Sequence, residues 1–368
     1  MRKNISALIS SLVFVAFIVG LAVTCFAKEP VDILQSERRR AEQFPEFSVE
    51  GVMDKTFFDS FEKYLADQFP LRDTFRTVKA TIQLKLLGQK DNNGNYIAEG
   101  HISELDDKLS ENSVKKAAQK LNSVYDEYIA GKNAKCYYSI VPDKNYFLAE
   151  KNGYPSLDYE KMTELYTSGV KNMEYIDIFD CLEINDYYKT DSHWKQQNLD
   201  KVVAKLGDAM GFEPKSSDSY TAEKVTDFKG VYAPRLAIGN ISDEIICLTS
   251  PATQNATVYN LEKNKTTVGV YDKTKLQSGD KYDIYLSGAA ALLTVENPLA
   301  EEKRELVIFR DSFGSSLAPL MLEGYSKITL VDLRYIPAQL IGDYVSFENC
   351  DVLFIYNTQI LNQSSILR

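Results

Sequence analysis

The sequence predicts an α/β fold: a parallel sheet flanked by helices, with a β-rich insertion and an N-terminal helical extension. Three observations predict it. The runs "AKCYYSIV", "ELVIFR", "KITLVD" and "DVLFIY" are apolar throughout, the pattern of strands covered on both faces. They alternate with segments whose apolar residues recur at helical spacing, the order that builds βαβ units. Residues 216–300 lose that alternation and carry short β-prone runs between turn residues, the clearest being "DEIICLTS", "TTVGVYD" and "KYDIYLS".

Taken in order, Arg2 and Lys3 precede an apolar stretch from Ile5 to Ala27. Ala27 suits signal cleavage, yet the stretch also reaches the roughly 20 residues that span a bilayer. Residues 1–27 are therefore a signal peptide or membrane anchor, with the rest of the chain exported: extracytoplasmic, at the cell surface or anchored by residues 5–27. Residues 28–90 form a polar linker and an N-terminal helical segment, whose helical pattern from Lys55 to Leu87 is split at Pro70. Residues 91–368 are the α/β domain. In it, Ser113–Ile129 is a helix ended by Gly131, "AKCYYSIV" a strand stopped by Pro142, 157–171 a helix and "EYIDIF" a strand. Lys195–Met210 is a helix with Gly211 past its end. After the insertion come strand "ELVIFR", helix Phe313–Leu322, strand "KITLVD", a short helix at 336–343 and strand "DVLFIY".

The chain carries 42 basic and 52 acidic side chains, and Arg2 and Lys3 are the only charged residues before Lys28, so the remainder has a formal charge of −12. That balance disfavours nucleic acid as a partner. Cys136, Cys181, Cys247 and Cys350 are far apart, without CxxC or metal spacing. Two histidines 92 positions apart, with no HExxH, give no zinc pattern, and no Walker loop or GxGxxG suggests a nucleotide cofactor. No metal and no cofactor are expected.

In an open parallel sheet, ligands bind at the carboxyl ends of the strands. Pro142, Asp143 and Lys144 follow one strand, Asp311 and Ser312 another, Asp332, Arg334 and Tyr335 a third, and Asn357 and Thr358 the last. Ser312, at a strand-to-helix turn, is the best nucleophile candidate, with helix-start N–H groups placed to hold an oxyanion. The plain alternative is that Asp311 or Ser312 only caps the helix. A serine hydroxyl needs a base. His101 lies in a polar loop, whereas His193 has Asp191 two residues before it, able to hold one imidazole nitrogen while the other takes the serine proton. Here too "TDSHW" reads equally as a helix entry capped by Thr190 or Asp191, with Trp194 in the core.

"YYKTDSHW" followed by "FRDSFG" resembles the DHHW family of exported bacterial proteins, and also the alginate O-acetyltransferases of the SGNH-hydrolase-like superfamily. "FEKYLADQFPLRDTF", "NGNYIAEG", "VPDKNYF", "YDIYLSG" and "VDLRYI" extend the likeness over most of the chain. The resemblance implies an SGNH-hydrolase-like fold and acyl transfer: Asp191 orients His193, His193 is the general base, and Ser312 forms an acetyl-serine. It implies an acceptor hydroxyl on a cell-surface polysaccharide, or water in an esterase, with a membrane-embedded protein as one route for the acetyl donor. Two departures stand out. Ser192 replaces the first His of the motif, and Ala289 follows Gly288 where family members often carry Asn, an oxyanion donor. Asn357, Arg334, Tyr335 and Gly288 are the remaining oxyanion or substrate-binding candidates. The alternative is a non-catalytic glycan-binding or envelope assembly protein on the same scaffold.

Overall fold

A computed structural model describes residues 2–34, 36, 37, 39–238 and 241–368. These form two compact units, one of residues 2–93 with 234–238, the other of 94–233 and 241–368.

The first unit opens with helix α1 (Arg2–Ala27), followed by α2 (Thr56–Gln68) and α3 (Arg72–Thr81). Ile5–Ala27 is long and apolar enough to cross a membrane, and 6% of its most apolar window is buried. Pro70 separates α2 from α3, and Leu71 turns the chain with a φ of 56°. A π-helical turn, Ile82–Leu86, continues α3. The segment expected as a linker is tied down instead. Arg39 donates two hydrogen bonds to the Asp67 carboxylate, at 2.7 and 2.6 Å, and the Glu42 N–H adds a third at 2.9 Å.

The second unit is built on an eight-stranded sheet. Its strands, in chain order and after a hairpin of β1 (Asn95–Ala98) and β2 (His101–Glu104), are β3 (Lys135–Val141), β4 (Glu174–Tyr175), β7 (Thr257–Asn260), β8 (Lys265–Val268), β9 (Leu292–Glu296), β10 (Glu305–Arg310), β11 (Lys327–Val331) and β12 (Cys350–Asn357). β5 (Thr221–Phe228) and β6 (Asp243–Thr249) form a separate hairpin. The sheet order is β8-β7-β9-β11-β10-β12-β3-β4. The five strands from β11 to β4 are parallel, and β9, β7 and β8 extend one edge antiparallel. Part of the β-rich insertion thus continues the main sheet.

Both faces of the parallel core are covered, which is why its strands are apolar throughout. Leu306 and Ile308 point to one face, among Val202, Leu206, Leu317 and Met321 of α6 (Asp200–Met210) and α7 (Phe313–Met321). Val307 and Phe309 point to the other, in one cluster with Val114, Leu121 and Met162 of α4 (Glu111–Val124) and α5 (Tyr159–Gly169).

Four local expectations are corrected. "KYDIYLS" is not a strand: Lys281–Ile284 is a 3-10 turn, because Tyr282, Ile284 and Tyr285 all enter one satellite core, and a strand would send neighbouring side chains to opposite faces. Only Glu174–Tyr175 of "EYIDIF" pairs with β3, since Asp177 accepts from the Phe179 N–H at 3.0 Å and turns the chain. The helix expected from Lys195 begins at Asp200, after a 3-10 turn at Gln196–Asn198. His101 sits on β2, not in a loop.

Phe309 is fully buried and stacks on Phe354 with ring centroids 4.3 Å apart. Phe309→Ala should cost about 3–5 kcal/mol in urea unfolding; a loss within error of zero contradicts this packing.

Candidate active site

Ser312 stands between β10 and α7, at the carboxyl end of the sheet. The cap role falls to its neighbour. Asp311 accepts from the Phe313 N–H at 2.9 Å through one carboxylate oxygen and from the Asn357 N–H at 2.7 Å through the other. Burial pushes the Asp311 carboxyl up, against the pull of Arg334 and of these two N–H donors. The Ser312 side chain makes no cap bond. Its hydroxyl donates instead to His193 Nε2 at 2.7 Å. Gly314 is required in "DSFG", because a Cβ there would fall 2.6 Å from the Arg310 Cβ.

His193 lies in a tight loop closed by the Tyr187–Trp194 bridge and by a 3.0 Å bond from the Tyr188 N–H to the His193 carbonyl. Thr190 and Asp191 therefore open no helix. The loop is fastened to α7 by Trp194, fully buried, whose indole N–H donates to Ser316 Oγ at 2.9 Å and to the Phe313 carbonyl at 3.2 Å. The imidazole stacks on Tyr282, ring centroids 3.8 Å apart and 10° from parallel.

Asp191 Oδ1 accepts from His193 Nδ1 at 2.5 Å and from the His193 N–H at 3.1 Å, while Oδ2 accepts from the Val231 N–H at 2.9 Å. Burial alone raises this carboxyl, but His193 and the N–H of Val231 outweigh it and hold Asp191 well below the usual carboxylate range. The Val231 contact depends on Gly230, where a Cβ would sit 2.3 Å from Asp191 Oδ2. The Gly230 N–H donates to Thr190 Oγ1 at 2.9 Å, and Thr190 donates to Asp243 at 2.5 Å. The loop is also clamped from within. Buried Lys144 donates to the carbonyls of Ile102, Tyr188 (2.8 Å), Lys189 (3.2 Å) and Asp191 (3.1 Å). Burial pushes its ammonium down to about 7, while Asp191 and Asp243 pull it back up. An ammonium has donors only, which is what a ring of carbonyls needs.

The family profile described as DHHW protein matches residues 121–331, more than half of the chain, including Asp191, His193, Trp194 and Ser312. The chain belongs to the DHHW family. Among solved structures, a DHHW family protein from Eubacterium siraeum is 20% identical, with a TM-score of 0.62 over 75% of this chain and 94% of its own. PatB1 of Bacillus cereus is 15% identical, with a TM-score of 0.55 over 73% of this chain and 96% of its own. PatB1 has also been solved with a sulfonyl adduct. At these identities the likeness is one of fold. No curated protein matches the chain.

Three of the other candidates in this DHHW protein, Asn357, Arg334 and Gly288, are engaged within the fold. Asn357 spends its side chain on the fold: Nδ2 donates to the Val141 carbonyl at 3.0 Å and Oδ1 accepts from the Gln359 N–H at 2.9 Å. Arg334 holds Asp332 with Nε at 2.9 Å and Nη2 at 2.7 Å, its guanidinium 5.4 Å from the ring centroid of exposed Tyr335. Gly288 has a φ of 83° and gives its N–H to the Tyr285 carbonyl at 3.1 Å. Among the described residues, the Ser312 N–H has no acceptor. Among the described residues, no group of three or more His, Cys, Asp or Glu side chains could hold a metal ion.

Gly230, Asp243 and Tyr282 support the site and were not singled out from the sequence. An isolated glycine in a β-prone stretch was the one available signal for Gly230. His101 is buried on β2 with its Nδ1 3.2 Å from the Glu99 carbonyl, and burial pushes its pKa down to about 4.

A neutral His101 fixes a pH dependence. The unfolded chain takes up this proton as pH falls below about 6.5 and the folded chain only near 4, so the contribution is complete above 6.5 and lost as pH falls to 4. The stability of wild type relative to His101→Gln should shrink by about 3 kcal/mol between pH 7 and pH 4; a constant difference contradicts a buried neutral imidazole. Lys144→Met, which leaves the loop carbonyls without their donor, should cost about 3 kcal/mol or more, and wild-type stability in urea would refute the clamp.

Proposed function

We propose that this DHHW protein is an exported acyltransferase or esterase that works through Ser312, His193 and Asp191. The reaction of this reading is O-acetylation of a cell-surface polysaccharide. One observation carries the reading: a continuous hydrogen-bonded line from Asp191 through both imidazole nitrogens to Ser312, 2.5 and 2.7 Å. With Nδ1–H donated to buried Asp191, Nε2 is the acceptor for the serine proton.

The steps follow from that tautomer. His193 takes the Ser312 proton as Oγ bonds to the acetyl carbonyl carbon. The oxyanion rests on the Ser312 N–H. The imidazolium returns the proton to the leaving group, the donor's bond to the acetyl carbon breaks, and acetyl-Ser312 remains. A polysaccharide hydroxyl then gives its proton to His193 as it attacks the acetyl carbon, the bond from that carbon to Ser312 Oγ breaks, and the imidazolium returns the proton to Oγ. Water in that place makes the protein an esterase. A glycan acceptor and a membrane-embedded acetyl donor come from the resemblance to alginate O-acetyltransferases. Asp191 buried, with His193 and Ser312 half-buried, supports a relay whose reacting end faces solvent.

We also read α1 as an anchor, with the bulk of the chain outside the cytoplasm. Buried Cys25, near the end of α1, donates to the Gln68 carbonyl at 3.8 Å, so the end of the apolar helix packs as part of the first unit.

A second reading, a glycan-binding protein without catalysis, draws on Ala289 and on the engagement of Asn357 and Gly288, which leave one evident oxyanion donor. One experiment separates the two. The full chain should hydrolyse 4-nitrophenyl acetate and take a sulfonyl fluoride label on Ser312. Ser312→Ala and His193→Ala should each lower turnover by about a thousandfold or more, with His101→Gln unchanged. No turnover, no label and no acetyl transfer to any offered glycan would leave the binding reading in place.

A further inference from the structure

The first unit carries an apolar surface that the catalytic reading leaves unused. At about 100° per residue, Phe75, Val78, Ile82 and Leu86 fall on one face of α3 and the π turn that continues it, and Leu71 precedes the helix. All five are exposed, by 42–77%. The opposite face holds buried Ala80 and half-buried Arg76, which donates to the Pro234 carbonyl at 2.8 Å. The helix is therefore amphipathic with its apolar side outward, the reverse of a helix placed to fill a core. Lys79 and Lys85 flank the stripe and form no ion pair among the described residues, the arrangement in which lysine stems lie along apolar surface and ammonium groups reach phosphates.

The position of this helix says what covers it. Ile5–Ala27 is 23 residues long, about 35 Å as a helix against a hydrocarbon core of about 30 Å. Its end is fixed by Gln68, buried at the end of α2. Gln68 takes Cys25 Sγ on its carbonyl at 3.8 Å, and its side chain bonds the Val31 N–H at 2.9 Å and the Val31 carbonyl at 3.0 Å. Leu71 follows Gln68 by three residues, so it lies within about 11 Å of it. The apolar stripe thus starts close to the end of α1.

We propose that the stripe from Leu71 to Leu86 rests on the lipid surface beside the emergence of α1. α1 and the stripe form one two-part membrane attachment, a spanning helix and an interfacial helix joined through Gln68. The proposal rests on the anchor reading of α1, and the test keeps the two apart.

The full chain is placed in vesicles of phosphatidylcholine and phosphatidylglycerol, and in native membranes, with a photo-crosslinking benzoyl-phenylalanine at one position at a time. Ile18→benzoyl-phenylalanine reports insertion of α1; Val78 and Leu86 carry the probe for the stripe; Thr77 carries it for the exposed polar side. Lipid adducts from Val78 and Leu86 at least about tenfold above Thr77 are expected, and Val78→Glu should reduce the adduct at Leu86 severalfold. Adducts at Ile18 without adducts at Val78 and Leu86 overturn the interfacial helix and keep the anchor. Adducts from Val78 to a second copy or to another membrane protein, in place of lipid, overturn the lipid assignment. Without Ile18 adducts the anchor reading fails, and lipid adducts at Val78 and Leu86 alone then decide for or against the interfacial helix.

Discussion

The hydrogen bond from the Trp194 indole to Ser316 is the contact on which the site depends. Ser312 and His193 are 119 residues apart in sequence. No local preference brings them within bonding distance, and a loop free to shift by an ångström would lose the geometry that general-base transfer needs. Trp194 removes that freedom. Its ring fills the core between the loop and α7, edge-on to Phe313 with centroids 5.3 Å apart, and its N–H finds an acceptor one helical turn past Ser312. The histidine sits in chain order directly before this anchor, and Phe313 directly follows the serine. Ser312 and His193 are each one residue from the packing that locates them.

Charge is arranged around the same loop with similar economy. Asp191 is taken out of water, which alone favours its neutral form, and then given two backbone N–H groups and an imidazole. Lys144 lies under the loop, bonded to carbonyls and not to a carboxylate, so it holds the backbone without neutralising Asp191 directly. At the neighbouring strand ends, Arg334 grips Asp332, and Asp311 is turned to backbone donors. These ions position strand ends and turns. The Ser312 hydroxyl and His193 have no such part and bond each other.

Much of this was legible in the sequence, for physical reasons. Strands buried on both faces must be apolar throughout, so "ELVIFR" and "DVLFIY" announced a parallel sheet, and the residues after them lie along the rim that carries Ser312. With two histidines in the chain, an imidazole two residues from a carboxylate stood out. Roles set by distant partners were not legible. Asn357 looks like a free amide from sequence, but a strand end in need of a cap claims it. Lys195 continues a helical pattern, yet Trp194 and Gln196 are held by α7 and β6, and the helix begins later. Gly230 matters only because Asp191, 39 positions earlier, lies beneath it.

The central claim is that Ser312 is a nucleophile made reactive by His193. It is met most directly by acid-quenching the full chain during turnover of an acetyl ester and reading the mass of the peptide that carries Ser312. The account predicts one acetyl group on Ser312, missing when His193 is replaced by alanine. Ester consumed with no acetyl group on that peptide, or with acetyl on another side chain that chases into product, would contradict it.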